Sequence, residues 1–550
     1  MKSLPPLERR CCLCVHEMRL QPHLFYNLSR DRIVGFYEIG AEKRRILARK
    51  ALVVMARSLA GDWEQPVAYY FHGGACNADV TKNLIFQAII KLTHIGATVH
   101  ALITGTAPMF LRLSQRLGIS AERPWFLVNG EKIFYIFDVA RLMRATRNVL
   151  MTHEICFREK KASWADIELF FRCDSQKRLP LAPKLSVSHL KPSERQKIET
   201  KYAVEVFSDR VAAGLSACIA SGEFSLRAIG TMEFVYNFDQ LFDILNSRSA
   251  STKHKEFGEA FTGNMREMRF LQQTLDFLKS IRVVDKSGAH VKSIKCFDRW
   301  RVTINAITQL WDVLKEHRFS FLRTRRLNRE GIERAFRSIK QQSGNRARPT
   351  PIFFTRAFKN LVSKHLLEHL SKIDSVVSAQ KILKRIASAS SRHVDRDPPV
   401  AAQTALSISA TNYRDIDLRL PEKSAFKRVC EFLLAECLRA HDNCDVCVAY
   451  VAEESGSHAG KDAPGSFNFY ISGLEDTFMR IFEQLSAEEN IGARMLQYAQ
   501  QVEYKPPCPD FPVTFLIKLF LRMRIYFTLL RHNRICRGAD SRDYLKVMQL

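Results

Sequence analysis

The first 155 residues of the chain alternate between short runs suited to β-strands and longer runs with helical spacing. Residues 51–56, 67–71 and 99–103 are short runs of apolar or aromatic residues, which favours buried strands. Residues 80–95 place apolar side chains three and four positions apart and stop at Gly96, as an amphipathic helix does. Two further strands are predicted over 33–39 and 132–137. This alternation predicts an α/β domain at the start of the chain.

After residue 155, strand alternation gives way to helical periodicity. Three stretches carry apolar residues at i, i+3 and i+4, namely 164–171, 195–207 and 268–281. A helical body is therefore expected to interrupt the α/β domain. Two stretches rich in small and polar residues, 386–415 and 454–466, are predicted to be a linker and a loop. The last eighty or so residues are predicted to be helical and basic.

The charge balance constrains the partner. The chain has 550 residues, enough for two to four domains, and carries 84 Lys and Arg against 57 Asp and Glu, a net charge of +27. Such an excess favours a polyanion, because each cation that neutralises a phosphate releases condensed counterions. A basic membrane-surface protein would show a similar total, but the excess is spread over several segments and no lipidation motif is present. We therefore expect a nucleic acid and no membrane as partner.

Cysteine usage and hydropathy indicate an intracellular protein. Fourteen cysteines without a secretory leader are typical of reduced thiols. Residues 511–530 are the most apolar late stretch, but Lys518, Arg522 and Arg524 interrupt them. A spanning helix would bury these charges in hydrocarbon, so an amphipathic helix of a soluble protein is predicted.

Eight short motifs follow one another along residues 11–365. The first four are V-H-E-M at 15–18, G-F-Y-E-I-G at 35–40, P-V-A-Y-Y-F at 66–71 and T-G-T-A at 104–107. The others are F-D-V-A-R-L-M-R at 137–144, L-A-P-K-L at 181–185, F-D-I-L-N-S-R at 242–248 and N-R-E-G-I-E-R-A-F at 328–336. As an ordered set, these motifs resemble those of P-element-type (THAP-type) DNA transposases, in which the counterpart of the last motif reads N-Q-D-x-L-E-x-x-F.

The resemblance implies an RNase H-like mixed sheet with helices, interrupted by an all-helical GTP-binding insertion and followed by a helical C-terminal region. The implied domains are an RNase H-like first part at 1–155, the insertion at 156–325, an RNase H-like closing part at 326–385, and a linker with a basic helical region at 386–550. DNA as partner, a nuclear location and a homo-oligomeric state would follow. The family's N-terminal THAP zinc finger would precede residue 11 and is expected to be missing, so the sequence shows no carrier of sequence-specific recognition.

The family joins DNA strands with Mg²⁺ held on two aspartates and a glutamate. The matching positions here are His16, Gly105 and Glu333, so that only the glutamate is retained. Mg²⁺ prefers carboxylates and water, and one carboxylate supplies too little negative charge for two dications. We therefore expect a catalytically impaired protein whose ancestral Mg²⁺ binding at Glu333 is weak or lost. The alternative is an active Mg²⁺-dependent transposase that uses Glu38 or Asp138 as a substitute carboxylate.

Structural readings of the same residues stay open. His16 on an apolar strand also suits a core or edge histidine, and Glu333 also suits an ion pair with Arg337 at i+4. Glu17 is expected to point to the opposite face of the strand from His16, since successive side chains alternate.

The resemblance also implies GTP-binding positions, which are Lys184, Asp243, Asn246 and Glu330. A lysine suits a phosphate, and an aspartate suits the donors of a guanine edge. The stretch 199–200 reads Glu-Thr where the family is usually basic, and no P-loop motif is present. A GTP-responsive assembly module and a packed helical domain without a ligand are both retained as alternatives.

Two further features carry weaker signals. Residues 323–348 hold nine Lys or Arg and two acidic residues, which suits a DNA phosphate track or a solvated helix face. Cys444 and Cys447 form one C-x-x-C pair with Cys508 and Cys536 far behind, a weak indication of zinc. A decaying copy of a transposable element without function is also compatible with the sequence.

Overall fold

The computed structural model describes residues 4–40, 42–74, 77–248, 257–285, 287–370, 405–408, 422–442, 444–455 and 463–538. Its strands are β1 (Arg10–Arg19), β2 (Phe25–Asn27), β3 (Arg32–Val34), β4 (Phe36–Ile39), β5 (Glu42–Leu47), β6 (Lys50–Ser58), β7 (Glu64–His72), β8 (Thr98–Thr104), β9 (Trp125–Val128), β10 (Glu131–Phe137), β11 (Glu154–Phe157), β12 (Lys160–Ala162) and β13 (Arg282–Val284). Its α-helices up to residue 370 are α1 (Ala78–His94), α2 (Pro108–Arg116), α3 (Val139–Thr152), α4 (Trp164–Asp174), α5 (Val187–Leu190), α6 (Glu194–Lys197), α7 (Thr200–Val206), α8 (Asp209–Ala220), α9 (Ile229–Leu245), α10 (Met265–Ser280), α11 (Cys296–Glu316), α12 (Glu330–Gln342) and α13 (Pro351–Leu370). Those that follow are α14 (Glu422–Ala440), α15 (Asp445–Ser455), α16 (Gly465–Leu485), α17 (Ile491–Ala499) and α18 (Val513–Gly538).

Eight strands form one mixed sheet in the order β5-β4-β7-β6-β1-β8-β10-β9. The central strand β1 is antiparallel to β6 and parallel to β8, and β8 is in turn parallel to β10. Helices α1, α11, α12 and α13 pack against its strands. The run from Cys11 to Val15 in β1 is fully buried as a result. This arrangement confirms the predicted mixed α/β domain, and the predicted strands at 51–56, 67–71, 99–103 and 132–137 lie within β6, β7, β8 and β10.

The predicted strand at 33–39 is instead two strands, β3 and β4, separated at Gly35. Gly35 has a φ of 122°, and a Cβ there would lie 2.2 Å from the carbonyl oxygen of His23. Only glycine permits this approach, so the chain leaves the β2–β3 hairpin and enters the main sheet at this position. The prediction failed here because the close contact is made by a residue outside the run.

The predicted helix at 80–95 is α1, which the Asn77 side chain caps by accepting the Asp79 backbone N–H at 3.0 Å. The chain turns away at Gly96, whose φ is +88°. Both ends therefore follow local capping rules, which is why the sequence predicts them well.

The segment after the sheet is helical, as predicted, and is built from α4 to α10. Phenylalanine rings fill its centre, with Phe234 packing against Phe157, Phe238 and Phe277. A three-stranded sheet, β12-β11-β13, which was not predicted, also lies in this region. Helix α11 returns to the main sheet, where the Thr303 hydroxyl accepts the backbone N–H of Phe137 at 3.2 Å.

The C-terminal helices α14 to α18 form a second hydrophobic core, which also takes in Leu24 and Ile33 of the N-terminal region. Asn533 of α18 accepts the backbone N–H of Leu24 at 2.8 Å and donates to its carbonyl oxygen at 2.9 Å. Asp31 accepts the backbone N–H groups of Gly492 and Ala493 at 2.6 and 2.9 Å, at the start of α17. Three of these four polar contacts are fully buried and the fourth is partly buried, so they fix the bundle against the β2–β3 hairpin.

Some predicted segments fall on residues that are not described. The linker at 386–415 lies outside the described residues apart from 405–408, and most of the loop at 454–466 does too. Most of the apolar stretch at 511–530 lies within α18. Among the described helices, none is both long enough and apolar enough to cross a membrane.

Candidate active site

The three positions matched to the acidic triad converge at one corner of the molecule. His16 lies on β1, Gly105 directly follows β8, and Glu333 lies in the first turn of α12. The parallel pairing of β1 with β8 brings the first two together, and α12 packs against β1 to supply the third. The fold thus brings these three positions together.

Asp138 closes the same corner from the N terminus of α3. It is 2% exposed, and its carboxylate accepts the backbone N–H groups of Arg141 and Arg329, each at 3.0 Å. One oxygen therefore caps α3, while the other fixes the approach to α12. Both oxygens are already engaged by backbone donors.

The guanidinium group of Arg329 occupies the centre of this corner. Its Nη1 lies 3.0 Å from His16 Nδ1, and its Nη2 lies 3.3 Å from Glu333 Oε1. Its Nε lies 3.4 Å from Asp138 Oδ2. A Cβ built on Gly105 would lie 2.7 Å from Nη1, so the guanidinium fills the space that a side chain at position 105 would use. Sequence reasoning missed Arg329, although it stands where the family motif has glutamine.

The electrostatics of the corner are those of a cationic site. Burial lowers the pKa of His16 well below its ordinary value, and the charge of Arg329 lowers it further. Arg141 and Arg144 of α3 act on His16 in the same direction. Burial also raises the pKa of Glu333, with a further rise from the nearby Asp138 carboxylate and an opposing effect of Arg329.

These residues do not fit a pair of magnesium ions. Position 105 has no side chain, His16 offers a nitrogen, and Mg²⁺ prefers oxygen ligands. The guanidinium of Arg329 also places a positive charge between the remaining carboxylates, Asp138 and Glu333. Two dications would have to displace this cation to be held by Asp138 and Glu333 together.

The other carboxylates near this region are held elsewhere. Glu38 pairs with Arg32 at 3.1 Å on β4, toward the opposite edge of the sheet from β8. Glu17 lies 2.9 Å from His72 and 3.0 Å from Lys50, away from the Arg329 group. Of the two substitutes that the sequence offered, Asp138 alone is brought to the corner.

The predicted nucleotide-binding residues separate into two pairs. Lys184 and Asp243 line one cavity of about 480 Å³ in the helical insertion. Asn246 and Glu330 instead meet at Asn328, which donates to Asn246 at 3.0 Å and accepts the backbone N–H of Glu330 at 3.0 Å. Glu330 also pairs with Arg325 through two contacts of 2.6 Å. The first pair faces a cavity, and the second joins the insertion to the start of α12.

Ion pairs hold much of the basic segment at 323–348 against the fold. Arg323 pairs with Asp62 at 3.0 Å, and Arg334 pairs with Glu64 at 3.0 Å. Arg326 donates to the carbonyl oxygen of Trp63 at 3.0 Å. Arg334 is itself exposed, and the exposed arginines of the second half are Arg337, Arg346 and Arg348.

The chain combines a mixed sheet, a corner where the three positions matched to the acidic triad meet, and a helical insertion. These features define the class of RNase H-like proteins with an inserted domain. The family model described as "TNP-like, RNase H N-terminal domain" matches residues 1–118, and "TNP-like, GTP-binding insertion domain" matches residues 140–258. The chain is a relative of the P-element-type transposases, so the resemblance found in its motifs is confirmed.

Two curated relatives and one solved structure show the extent of the likeness. The Transposable element P transposase of Drosophila melanogaster is 23% identical over 353 residues, covering 63% of this chain and 44% of that protein. The human DNA transposase THAP9 is 23% identical over 398 residues, covering 67% and 42%. The chain thus spans less than half the length of each. The Drosophila P element transposase strand transfer complex shares the fold, with a TM-score of 0.58 and 21% identity over 66% of this chain and 79% of that one.

Proposed function

We propose that this chain is a transposase-derived, DNA-binding protein of the nucleus that does not cut or join DNA. The observation that carries this proposal is the position of the Arg329 guanidinium, between His16, Asp138 and Glu333. A cation built into the fold neutralises the carboxylates that would otherwise attract metal ions. The corner is thereby held together without any metal.

The loss of two metal-binding aspartates explains why an arginine is favourable at position 329. Once two aspartates are lost, the remaining buried carboxylate, Asp138, needs a positive partner, because an isolated buried charge is costly. Arg329 supplies that partner and is itself only 5% exposed. Its Nη1 also faces His16, whose lowered pKa keeps the imidazole neutral and able to accept a hydrogen bond.

A plasmid-nicking assay with Mg²⁺ or Mn²⁺ tests the absence of strand cleavage. We expect no nicking above background for the natural protein and no change in Glu333→Gln. Metal-dependent nicking that Glu333→Gln abolishes would overturn the proposal, since it would show a working metal site at this carboxylate.

DNA binding is supported by the net charge of +27 and by exposed cations on and after α12, the helix that carries Glu333. Arg337 lies on α12, and Arg346 and Arg348 lie on the segment that joins α12 to α13. Each phosphate contact contributes about 0.9 to the slope of log affinity against log salt. Replacing all three arginines with glutamine should therefore lower that slope by up to about 2.7.

Fluorescence anisotropy with a labelled DNA duplex at several salt concentrations measures this slope. The matched control removes the same charge at Arg116, Lys279 and Lys315, which are exposed and ion-paired within their own regions. An equal fall in slope for both triple variants would reduce the effect to net charge and would contradict a defined DNA-binding surface.

Nucleotide binding is a second candidate function, favoured by the cavity that Lys184 and Asp243 share. Lys184 also lines an adjoining cavity of about 480 Å³ together with Lys201 and Ser186. We propose that the phosphates of GTP would lie toward the two lysines and the guanine edge toward Asp243. Binding of a fluorescent GTP analogue that Lys184→Gln and Asp243→Asn both weaken is the expected result. No binding by the natural protein would rule this function out.

A further inference from the structure

We propose that His441, Cys444, Cys447 and Cys508 form a structural zinc site in the C-terminal helical region. Their ligand atoms all lie within 4.8 Å of one another. Three thiolates and one imidazole are a donor set of structural zinc sites, and the protein supplies all four positions. This proposal is independent of the DNA-binding function and of the altered triad.

The distances suit a tetrahedral zinc ion. The Cys447 and Cys508 sulfurs are 3.3 Å apart, and the Cys508 sulfur is 3.3 Å from His441 Nε2. With zinc–sulfur bonds of about 2.3 Å and zinc–nitrogen bonds of about 2.0 Å, the edges of a tetrahedron are roughly 3.5–3.8 Å. These two pairs would move apart by a few tenths of an ångström to admit the ion, and separations of up to 4.8 Å within the cluster would shorten by up to about 1 Å.

Three of the ligands come from one compact turn. His441 follows α14, Cys444 directly precedes α15, and Cys447 lies in the first turn of α15. The backbone N–H of Cys444 donates to the carbonyl oxygen of His441 at 3.1 Å, which closes the turn. Cys444 stands immediately before α15, where the backbone N–H groups of the helix start favour a negatively charged side chain.

The fourth ligand comes from a distant segment. Cys508 lies 61 positions after Cys447, in the connection that precedes α18. A metal held by both segments would therefore tie the α14–α15 turn to the base of α18. Cys536, which the sequence suggested as a ligand, lies within α18, where its sulfur is 3.4 Å from His532 Nδ1.

Two simpler explanations account less well for this cluster. Cys430 and Cys437 show how thiols pack as apolar groups in the same bundle, each fully buried on α14. The four residues of the cluster instead bring their donor atoms together from two segments, with His441 and Cys444 only half-buried. A disulfide needs a sulfur separation of about 2.05 Å, shorter than the 3.3 Å between Cys447 and Cys508, and it would leave His441 and Cys444 without a role.

Metal analysis of the full chain, purified with reductant and zinc and then dialysed, tests the proposal. We expect about one zinc ion per chain in the natural protein and almost none in Cys447→Ser and Cys508→Ser. The matched control is Cys536→Ser, which removes another cysteine of the C-terminal bundle that lies outside the cluster and should keep the zinc. Zinc content that is negligible in the natural protein, or equal in all four proteins, would overturn the proposal.

If the serine variants do not fold, the variant His441→Cys tests the proposed zinc site instead. In His441→Cys the site becomes a four-cysteine site, which should still bind one metal ion. After cobalt replacement, the sulfur-to-cobalt charge-transfer band should grow in proportion to four thiolates rather than three. An unchanged band would show that position 441 is not a ligand and would overturn the four-residue site.

Discussion

Replacement of Arg329 by glutamine, the residue found at this position in the family motif, is the most informative single perturbation. The amide is neutral and shorter, so it loses the contacts of the guanidinium with His16, Asp138 and Glu333. Asp138 is 2% exposed and keeps its two backbone N–H donors, so its charge remains buried but loses its positive partner.

The expected loss of stability follows from these exposures. Breaking a buried ion pair by removing one partner costs about 3–5 kcal/mol. The retained backbone hydrogen bonds to Asp138 offset part of this cost, and Glu333, whose side chain is 39% exposed, adds little. We therefore expect the RNase H-like domain to lose about 2–3 kcal/mol.

Native-state amide hydrogen exchange measures this loss in the domain concerned, separately from the C-terminal bundle. Amides of β1 and β8 should exchange roughly 30 to 140 times faster in Arg329→Gln, since each 1.4 kcal/mol is a factor of ten. Arg337→Gln is the matched control, because it removes the same charge from an exposed position on the same helix and should change exchange less than about threefold.

Unchanged or slower exchange in Arg329→Gln would refute the reasoning. It would mean that Asp138 does not depend on the guanidinium and that Arg329 is not the cation that replaces the metals. Equally faster amide exchange in Arg337→Gln would attribute the loss of stability to the change in net charge and not to the buried ion pair of Arg329 with Asp138.

Two further perturbations test other parts of the structure. Because burial and Arg329 depress the pKa of His16, the unfolded chain binds more protons below about pH 6.5, so stability is full above that pH and falls as the pH drops. His16→Gln should flatten this fall in denaturation midpoints measured at about pH 5 and pH 7.5, and an unchanged slope would place the titration elsewhere. Gly492→Ala should place a Cβ 2.5 Å from Asp31 Oδ1 and weaken the docking of α17 by about 1–3 kcal/mol, seen as faster exchange in α17. Exchange equal to that of the natural protein would show that the contact relaxes without cost.

The parts of the fold that local rules determine were predicted well. The run at 51–56 and the helix at 80–95 carry their own signals, which are apolar continuity in the first and spacing with a glycine stop in the second. The break at Gly35 and the pairing of β11 with β13 depend on partners distant in sequence. Periodicity does not report such contacts. The sequence therefore predicted β3 and β4 as a single strand and did not predict the sheet formed by β11, β12 and β13.

The candidate active site also combines positions that motif order predicts with a contact between distant residues that it does not predict. Motif order predicted that His16, Gly105 and Glu333 mark one corner, because a shared fold carries those positions together. It did not predict that Arg329 reaches across 313 residues of sequence to contact His16. The substitution of arginine for glutamine was visible in N-R-E-G, and a charge change beside a lost metal ligand is the signal that would have identified it.

Manganese binding measured by electron paramagnetic resonance tests the central claim most directly, since Mn²⁺ prefers oxygen ligands as Mg²⁺ does. The natural protein and the double variant His16→Asp, Gly105→Asp should both leave Mn²⁺ free, because Arg329, moved aside by the new side chain at position 105, would pair with the new carboxylates. Adding Arg329→Gln to that double variant should create a bound Mn²⁺ signal that Glu333→Gln removes. Mn²⁺ bound equally well by the double variant, or by the natural protein through Glu333, would contradict the account.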